Sequence, residues 1–157
     1  LLDDAAAHLS DLGPEPLDDA FTVDVLAGIL RGKKRPVKAV LLDQSAIAGV
    51  GNIYSDESCF LAQIHPATLA SALDASAIKR LHKAIRQSLT DSIKALSDDD
   101  GEIAWRYQNR QGESPFKVYD RAGEPCKRCK KKLVSSRVAG RATVTCPHCQ
   151  KKPARSK

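Results

Sequence analysis

Two Cys-x-x-Cys pairs constrain the fold of this chain more than any other feature of its sequence. Cys126 and Cys129 form the first pair, Cys146 and Cys149 form the second, and residues 130–145 separate them. This spacing is typical of structural zinc sites, in which each pair lies in a tight turn and directs two thiolates at one metal ion. Four sulfur ligands complete a tetrahedron and leave no position for water. We therefore expect one structural Zn²⁺; an iron–sulfur cluster and a redox dithiol pair are the alternatives.

The segment around these cysteines is too short to build a hydrophobic core. Zinc binding would then supply most of its folding free energy. His148 lies between the two cysteines of the second pair, and it is an alternative ligand, although the four cysteines already suffice.

Cys59 lies in the apolar stretch SCFLA and is expected to be a small buried side chain rather than a redox group.

The charge of the chain is divided unevenly. The net charge is +6, with 25 basic and 19 acidic side chains. From Cys126 onward there are 11 Lys and Arg and no Asp or Glu, which leaves 14 basic against 19 acidic residues before it. A cationic segment of this kind is favoured by a polyanionic partner, for which nucleic acid is the first candidate and a membrane surface a distant second.

Neither a membrane span nor a secretory signal is expected. No apolar run approaches the roughly 20 residues that cross a bilayer. The first residues, LLDDAAAHLSDLG, lack the basic start and the cleavage site of a signal peptide. We expect a cytoplasmic protein with no membrane partner.

Hydrophobic periodicity predicts a mainly α-helical domain. Apolar residues at helical spacing predict one helix over 17–30 and a second over 37–48. Asn52 would cap a third helix, and a stripe from Ile78 to Leu96 predicts a long amphipathic fourth helix. A polar loop is expected over 101–115.

From Phe116 onward, short β-favouring stretches alternate with Cys, Gly and Lys clusters. The predicted architecture is a helical domain over residues 1–115, followed by a β-hairpin zinc module with a basic tail over residues 116–157.

Gly49-Val50-Gly51-Asn52 lies between the second and third predicted helices. The two glycines allow a tight turn and a close approach of the backbone to a partner. The start of the next helix presents free amide groups and the Asn52 side chain, which together suit a phosphate. The alternative is that Asn52 only caps its helix and that the glycines only turn the chain.

The most specific stretch of the sequence is LLDQSAIAGVGNIYSDESCFLAQIHPA. It resembles the helix–two-turn–helix motif of the formamidopyrimidine-DNA glycosylase and endonuclease VIII family. LGPEPLDDAF, RPVK, VYDRAGEPCKRC and GRATVTCPHCQ match the same family in order, so that the resemblance runs from about Leu12 to Gln150. It implies a monomeric protein that binds double-stranded DNA, including damaged or abasic DNA.

The resemblance also implies which residues contact DNA. Asn52 matches the family asparagine that holds the backbone near the lesion, with Gly51 beside it. Arg141 matches an arginine that clamps the phosphates flanking the extruded nucleotide, a role that suits its rigid two-pronged donor group. Lys38 matches a lysine on the damage-facing side of the second helix. Alternatively, Arg141 and Lys38 are ordinary solvated cations.

Four further polar residues match the family. We expect them to hold helices together through caps and hydrogen bonds rather than to perform chemistry. They are Asp43, Gln44, Asp56 and Glu57.

The family's catalytic groups are an N-terminal proline amine and the adjacent glutamate, which act as nucleophile and proton carrier. This sequence begins Leu1-Leu2-Asp3, so we assign no catalytic residue and expect no base removal by this chain alone. The expected function is zinc-dependent binding of DNA by a relative of base-excision-repair glycosylases. One alternative is a glycosylase or abasic-site lyase, as part of a complete enzyme or with a substitute lysine amine. An RNA-binding zinc ribbon or a protein adaptor is the other.

Overall fold

The computed structural model describes residues 11–97 and 114–154. Within them the helices and strands are α1 (Val23–Leu30), α2 (Val37–Leu42), α3 (Asn52–Leu61), α4 (Ala75–Ser97), β1 (Val134–Val138) and β2 (Arg141–Thr145). A helical domain followed by a small antiparallel hairpin confirms the predicted fold class. No described helix combines the length and apolar character needed to cross a membrane. The loop predicted over 101–115 lies outside the described residues except for its last two.

The long amphipathic fourth helix that the periodicity predicted organises the core. Helix α4 packs against α3 and α1, and Leu81 and Ile85 at its centre are fully buried. Phe21, which precedes α1, and Leu26 within α1 are buried in the same core. Toward the C-terminal end of α4, the predicted apolar stripe is no longer buried in the core, and Ile93 is 53% exposed.

The first helix is shorter than predicted. It begins at Val23 rather than at residue 17, and Leu17 is exposed. The Asp18 carboxylate accepts the Ala20 N–H, and the Thr22 hydroxyl accepts the Val25 N–H as an N-cap. These side chains hydrogen-bond to the backbone in a turn and at a helix start, and thereby replace the helical turn that apolar spacing alone predicts.

The second helix is also shorter, and ends at Leu42 rather than at Ala48. The Asp43 carboxylate accepts both the N–H and the hydroxyl of Ser45. These bonds and the Arg35 guanidinium lower the pKa of Asp43 to about 2. The Gln44 amide accepts the Gly49 N–H and donates to the Val50 carbonyl, so polar side chains build the two turns that precede α3.

Gly13 is packed against these turns so closely that no side chain fits. A Cβ there would lie 2.5 Å from the Ala46 carbonyl carbon and oxygen and 2.7 Å from the Ile47 nitrogen. We expect Gly13→Ala to lower the free energy of unfolding by about 1–3 kcal/mol, because backbone atoms must move to admit the methyl group. Urea denaturation measures the loss.

The matched control for this change is Gly28→Ala. Gly28 lies within α1, and a Cβ there meets no atom within 4 Å. We expect this variant to be as stable as the wild type or more stable by up to about 1 kcal/mol, since alanine favours a helix interior. Equal stability of the two variants would contradict the packing described for Gly13.

The hairpin of the zinc module places Arg141 next to its turn. Val138 pairs with Arg141 in the β1–β2 register. Ala139 and Gly140 connect the two strands, and both have positive φ angles (53° and 70°). Such angles define the tight turn that matches the twist of a two-stranded ribbon.

Candidate metal centre and nucleic-acid interface

The four predicted cysteines converge on one point. Their Sγ atoms all lie within 4.8 Å of one another, and the Sγ atoms of Cys129 and Cys146 are 3.4 Å apart. Tetrahedral zinc with Zn–S bonds of about 2.3 Å requires sulfur atoms about 3.8 Å apart. Among the described residues this is the one such cluster. The four thiolates can therefore bind one zinc ion and complete its coordination.

Backbone amides prepare the cluster for a metal. The N–H groups of Arg128 and Cys149 each lie 3.4 Å from a cysteine sulfur. Burial acts to raise the pKa of the Cys126 thiol, but the N–H groups of Cys129 and Arg128 outweigh it and hold that pKa at about 7. Burial and bonds to neighbouring thiols raise the pKa of Cys149 to about 12. Metal binding must therefore displace protons, and acidification favours release of the metal.

The cysteine cluster rests on the helical domain. A second apolar cluster includes Phe60 of α3 together with Val118, Leu133 and two of the cysteines. The Arg128 guanidinium lies 4.4 Å from the centre of the Phe60 ring, in cation–π contact. The Gln150 side chain adds a hydrogen bond from its amide to the Ile64 carbonyl. Metal binding therefore also organises a contact with α3.

Glu57 fixes the segment that leads into the zinc module. Its buried carboxylate accepts three consecutive backbone N–H groups, those of Lys117, Val118 and Tyr119, each at 2.9 Å. We expected Glu57 to join two helices, and that expectation is wrong. Its partners lie about 60 residues away in sequence, and no local pattern indicates them.

Lys38 occupies a different position from the one that we expected. It has no exposed surface, and its Nζ donates to Asp56 Oδ1 (2.6 Å), to Thr143 Oγ1 (2.7 Å) and to the Ala142 carbonyl (3.1 Å). All three N–H donors of the ammonium group are used. Lys38 therefore offers no donor to a ligand and instead joins α2 to β2, which corrects its assignment as a damage-facing cation.

Asp56 completes this buried contact between the helical domain and the hairpin. Its second oxygen accepts the Val144 N–H at 3.1 Å. Burial raises the pKa of Asp56, against the opposing effect of the Lys38 ammonium and its hydrogen bond. The expectation that Asp56 holds helices together is confirmed for α2 and α3, and the bond to Val144 extends it to the zinc module.

Asn52 is the first residue of α3 and not its cap, because the N-cap position belongs to Gly51. The Asn52 side chain instead donates from Nδ2 to the Ala142 carbonyl at 3.2 Å. Its Oδ1 is buried and has no hydrogen-bond partner within residues 11–97 and 114–154. The amide therefore spans the junction between the two modules rather than its own helix start.

Arg141 directly precedes the residue that Asn52 contacts. Its side chain is exposed, and no carboxylate of the described segments pairs with it. Gly51 is exposed as well, and a Cβ there would meet nothing within 4 Å. An open backbone turn, a helix start and an unpaired arginine thus lie side by side. We call Gly51, Asn52 and Arg141 the junction surface.

A two-turn helical motif joined to a four-cysteine zinc ribbon defines the class of this protein. Residues 12–101 match the model of the family described as "Formamidopyrimidine-DNA glycosylase H2TH domain". "Zinc finger found in FPG and IleRS" matches residues 123–152. The chain therefore belongs to the formamidopyrimidine-DNA glycosylase H2TH family, and its cysteine cluster is a zinc finger of this type.

Among the relatives is a formamidopyrimidine-DNA glycosylase of Roseiflexus, 45% identical over 150 residues that cover 93% of this chain and 52% of the relative. That of Geobacillus kaustophilus is 43% identical over 94% of this chain and 54% of the relative.

The solved structure of the Lactococcus lactis enzyme non-covalently bound to DNA containing an AP site has a TM-score of 0.76 at 37% identity, over 90% of this chain and 50% of that one. The L. lactis complex with FAPY-dG DNA has a TM-score of 0.79 at 35% identity, over 96% and 56%. The chain spans about half the length of these relatives.

Proposed function

We propose that this chain binds double-stranded DNA through its phosphates, at the junction surface. The observation that carries the proposal is the hydrogen bond between Asn52 and Ala142, 90 residues apart in sequence. It brings a glycine-flanked helix start next to the exposed Arg141. Amide groups at a helix start and a guanidinium group are the donors that proteins use most effectively for phosphate oxygens.

The buried contacts give this surface its shape. Buried hydrogen bonds from Lys38 and to Asp56 hold β2 against the helices. Lys38 therefore supports the junction surface and does not itself contact DNA. We also retain, as part of the proposal, the division into a helical domain over 1–115 and a zinc module over 116–157. Each module supplies one half of the surface.

The solved relatives favour damaged DNA as the ligand. The L. lactis enzyme is bound in one structure to DNA that contains an AP site and in another to DNA that contains FAPY-dG. We propose that the protein to which this chain belongs acts in base-excision repair, with this chain gripping the sugar–phosphate strand at the lesion.

We expect the double variant Asn52→Ala/Arg141→Ala to bind a DNA duplex much more weakly than the wild type. Hydrogen bonds that involve a charged group contribute about 1.5–3 kcal/mol, so that loss of the Arg141 contact alone weakens binding about 10- to 150-fold. Fluorescence anisotropy with a labelled duplex measures the affinity, over a series of salt concentrations.

Lys79→Ala is the matched control. Lys79 is an exposed cation on α4, and its removal should change the affinity only slightly. The melting temperature of each variant shows whether it remains folded. An unchanged affinity of the folded double variant, or equally tight binding of structured RNA by the wild type, would show that the proposal is wrong.

Borohydride trapping on abasic DNA tests whether this chain also has lyase activity. A lysine can attack an abasic aldehyde only through an unshared electron pair on its amine. Lys38, which adjoins the Asn52–Ala142 contact, donates three hydrogen bonds and is fully buried. We therefore expect no trapped adduct at Lys38, whereas an adduct that forms with the chain alone would favour the enzyme alternative.

A further inference from the structure

We propose that the loop between α1 and α2 is a second contact surface for DNA phosphates, on the flank of the junction surface. The loop consists of residues 31–35 and has the sequence RGKKR. We call it the basic loop. The inference rests on the proposed function, because it extends the same DNA ligand over a further part of the protein.

The charge of the basic loop is largely uncompensated. Arg31 and Lys34 are exposed and Lys33 is partly buried. Within the described ranges, none of these three cations lies within 4.0 Å of a carboxylate, whereas Arg35 pairs with Asp43 at 2.9 Å. Since like charges held close together repel one another, a set of fixed cations of this kind is stabilised by a polyanion.

The basic loop is held in one conformation before any partner arrives. Gly32 ends α1 with a φ angle of 71°, and the Lys33 N–H bonds to the Leu30 carbonyl at 3.2 Å. The carbonyls of Lys33 and Arg35 accept the backbone N–H groups of residues 71 and 70 at 3.0 and 2.9 Å. A fixed backbone reduces the conformational entropy that is lost on binding.

Two paths of contact place the basic loop beside the junction surface. Arg35 precedes Lys38 by three residues, a separation of at most about 11 Å between Cα atoms, and Lys38 Nζ touches the Ala142 carbonyl. Along the other path, Arg35 pairs with Asp43. The adjacent Gln44 side chain bonds to Val50, next to Gly51. Because duplex DNA carries one charge per about 1.7 Å of its axis, a duplex on the junction surface also presents phosphates beside that surface.

The test is the salt dependence of duplex binding by the zinc-loaded 157-residue chain. Each lost phosphate contact reduces the slope of log K against log [salt] by about 0.9. We expect Arg31→Gln/Lys34→Gln to make the slope shallower by about 1.8. Phosphates at one edge of the ethylation-interference pattern should no longer interfere with binding when they are ethylated. Neither side chain makes a hydrogen bond to another described residue, so this double variant should fold.

The matched control is Lys79→Gln/Lys83→Gln, which removes two exposed cations from α4. A control that changes the slope as much as the loop variant would indicate a general effect of net charge and overturn the inference. An unchanged slope in the loop variant would also overturn it. If the slope is unchanged while Asn52→Ala/Arg141→Ala still binds the duplex much more weakly than the wild type, the proposed function stands and only the second surface is lost. If the wild type binds no DNA, both fail.

Discussion

Replacing Cys146 with serine is expected to abolish zinc binding and to unfold the zinc module. Cys146 is fully buried, and its sulfur is one of the four that converge at the metal site. The binding energy of a structural zinc ion, about 10–16 kcal/mol at pH 7, is largely folding energy in so small a module. We expect the metal content to fall from one zinc ion per chain to none, as measured by atomic emission, and the near-ultraviolet circular dichroism of the module to be lost.

Cys59→Ala is the control for this experiment. Cys59 is also fully buried, but it lies in the core of the helical domain. The variant should lose some stability through the smaller side chain and keep its zinc. Retention of a full zinc equivalent by Cys146→Ser, or an equal loss from Cys59→Ala, would contradict the assignment of the metal ligands.

Loss of zinc should also weaken DNA binding if the proposed function is correct. The module supplies Arg141 and the carbonyl that Asn52 contacts, so half of the junction surface depends on the metal. Titration toward acid tests the same link, because protonation of thiols such as Cys126, with a pKa near 7, competes with zinc. Zinc content and DNA affinity should fall together as the pH is lowered.

The second large effect is expected at the buried ion pair. Lys38→Met leaves the Asp56 carboxylate buried without its cation. Removal of one partner of such a pair costs about 3–5 kcal/mol, because an uncompensated charge stays in a medium of low dielectric constant. Chemical denaturation of the zinc-loaded protein measures this loss of stability.

A double variant separates the charge from the packing. In Lys38→Met/Asp56→Asn the pair is neutral, and an amide oxygen remains to accept the Val144 N–H. We expect this variant to recover most of the stability that the single change loses, since a well-packed neutral replacement of a buried pair is often harmless. A double variant no more stable than Lys38→Met, or a single variant within about 1 kcal/mol of the wild type, would contradict the role of this pair.

The features that the sequence predicted correctly depend on residues close together in the chain. Two cysteines with two residues between them in a turn present their thiols together, so spacing alone indicated a metal site. The apolar stripe of α4 repeats with the period of one helix. The start of α1 and the end of α2 were predicted less well. Side-chain hydrogen bonds to the backbone, made by Thr22 and Asp43, set these ends, and the apolar pattern does not show them.

Only the tertiary structure decided how the charged residues are used. The sequence determined by itself that a helical domain precedes a zinc finger, because both depend on local spacing. It did not determine that Lys38 is buried, since its partners Asp56 and Thr143 lie 18 and 105 residues away. Nor did it determine that Glu57 binds the segment leading into the finger, about 60 residues away. A lysine is costly to bury without a partner, so its burial follows only when the fold brings Asp56 and Thr143 to it.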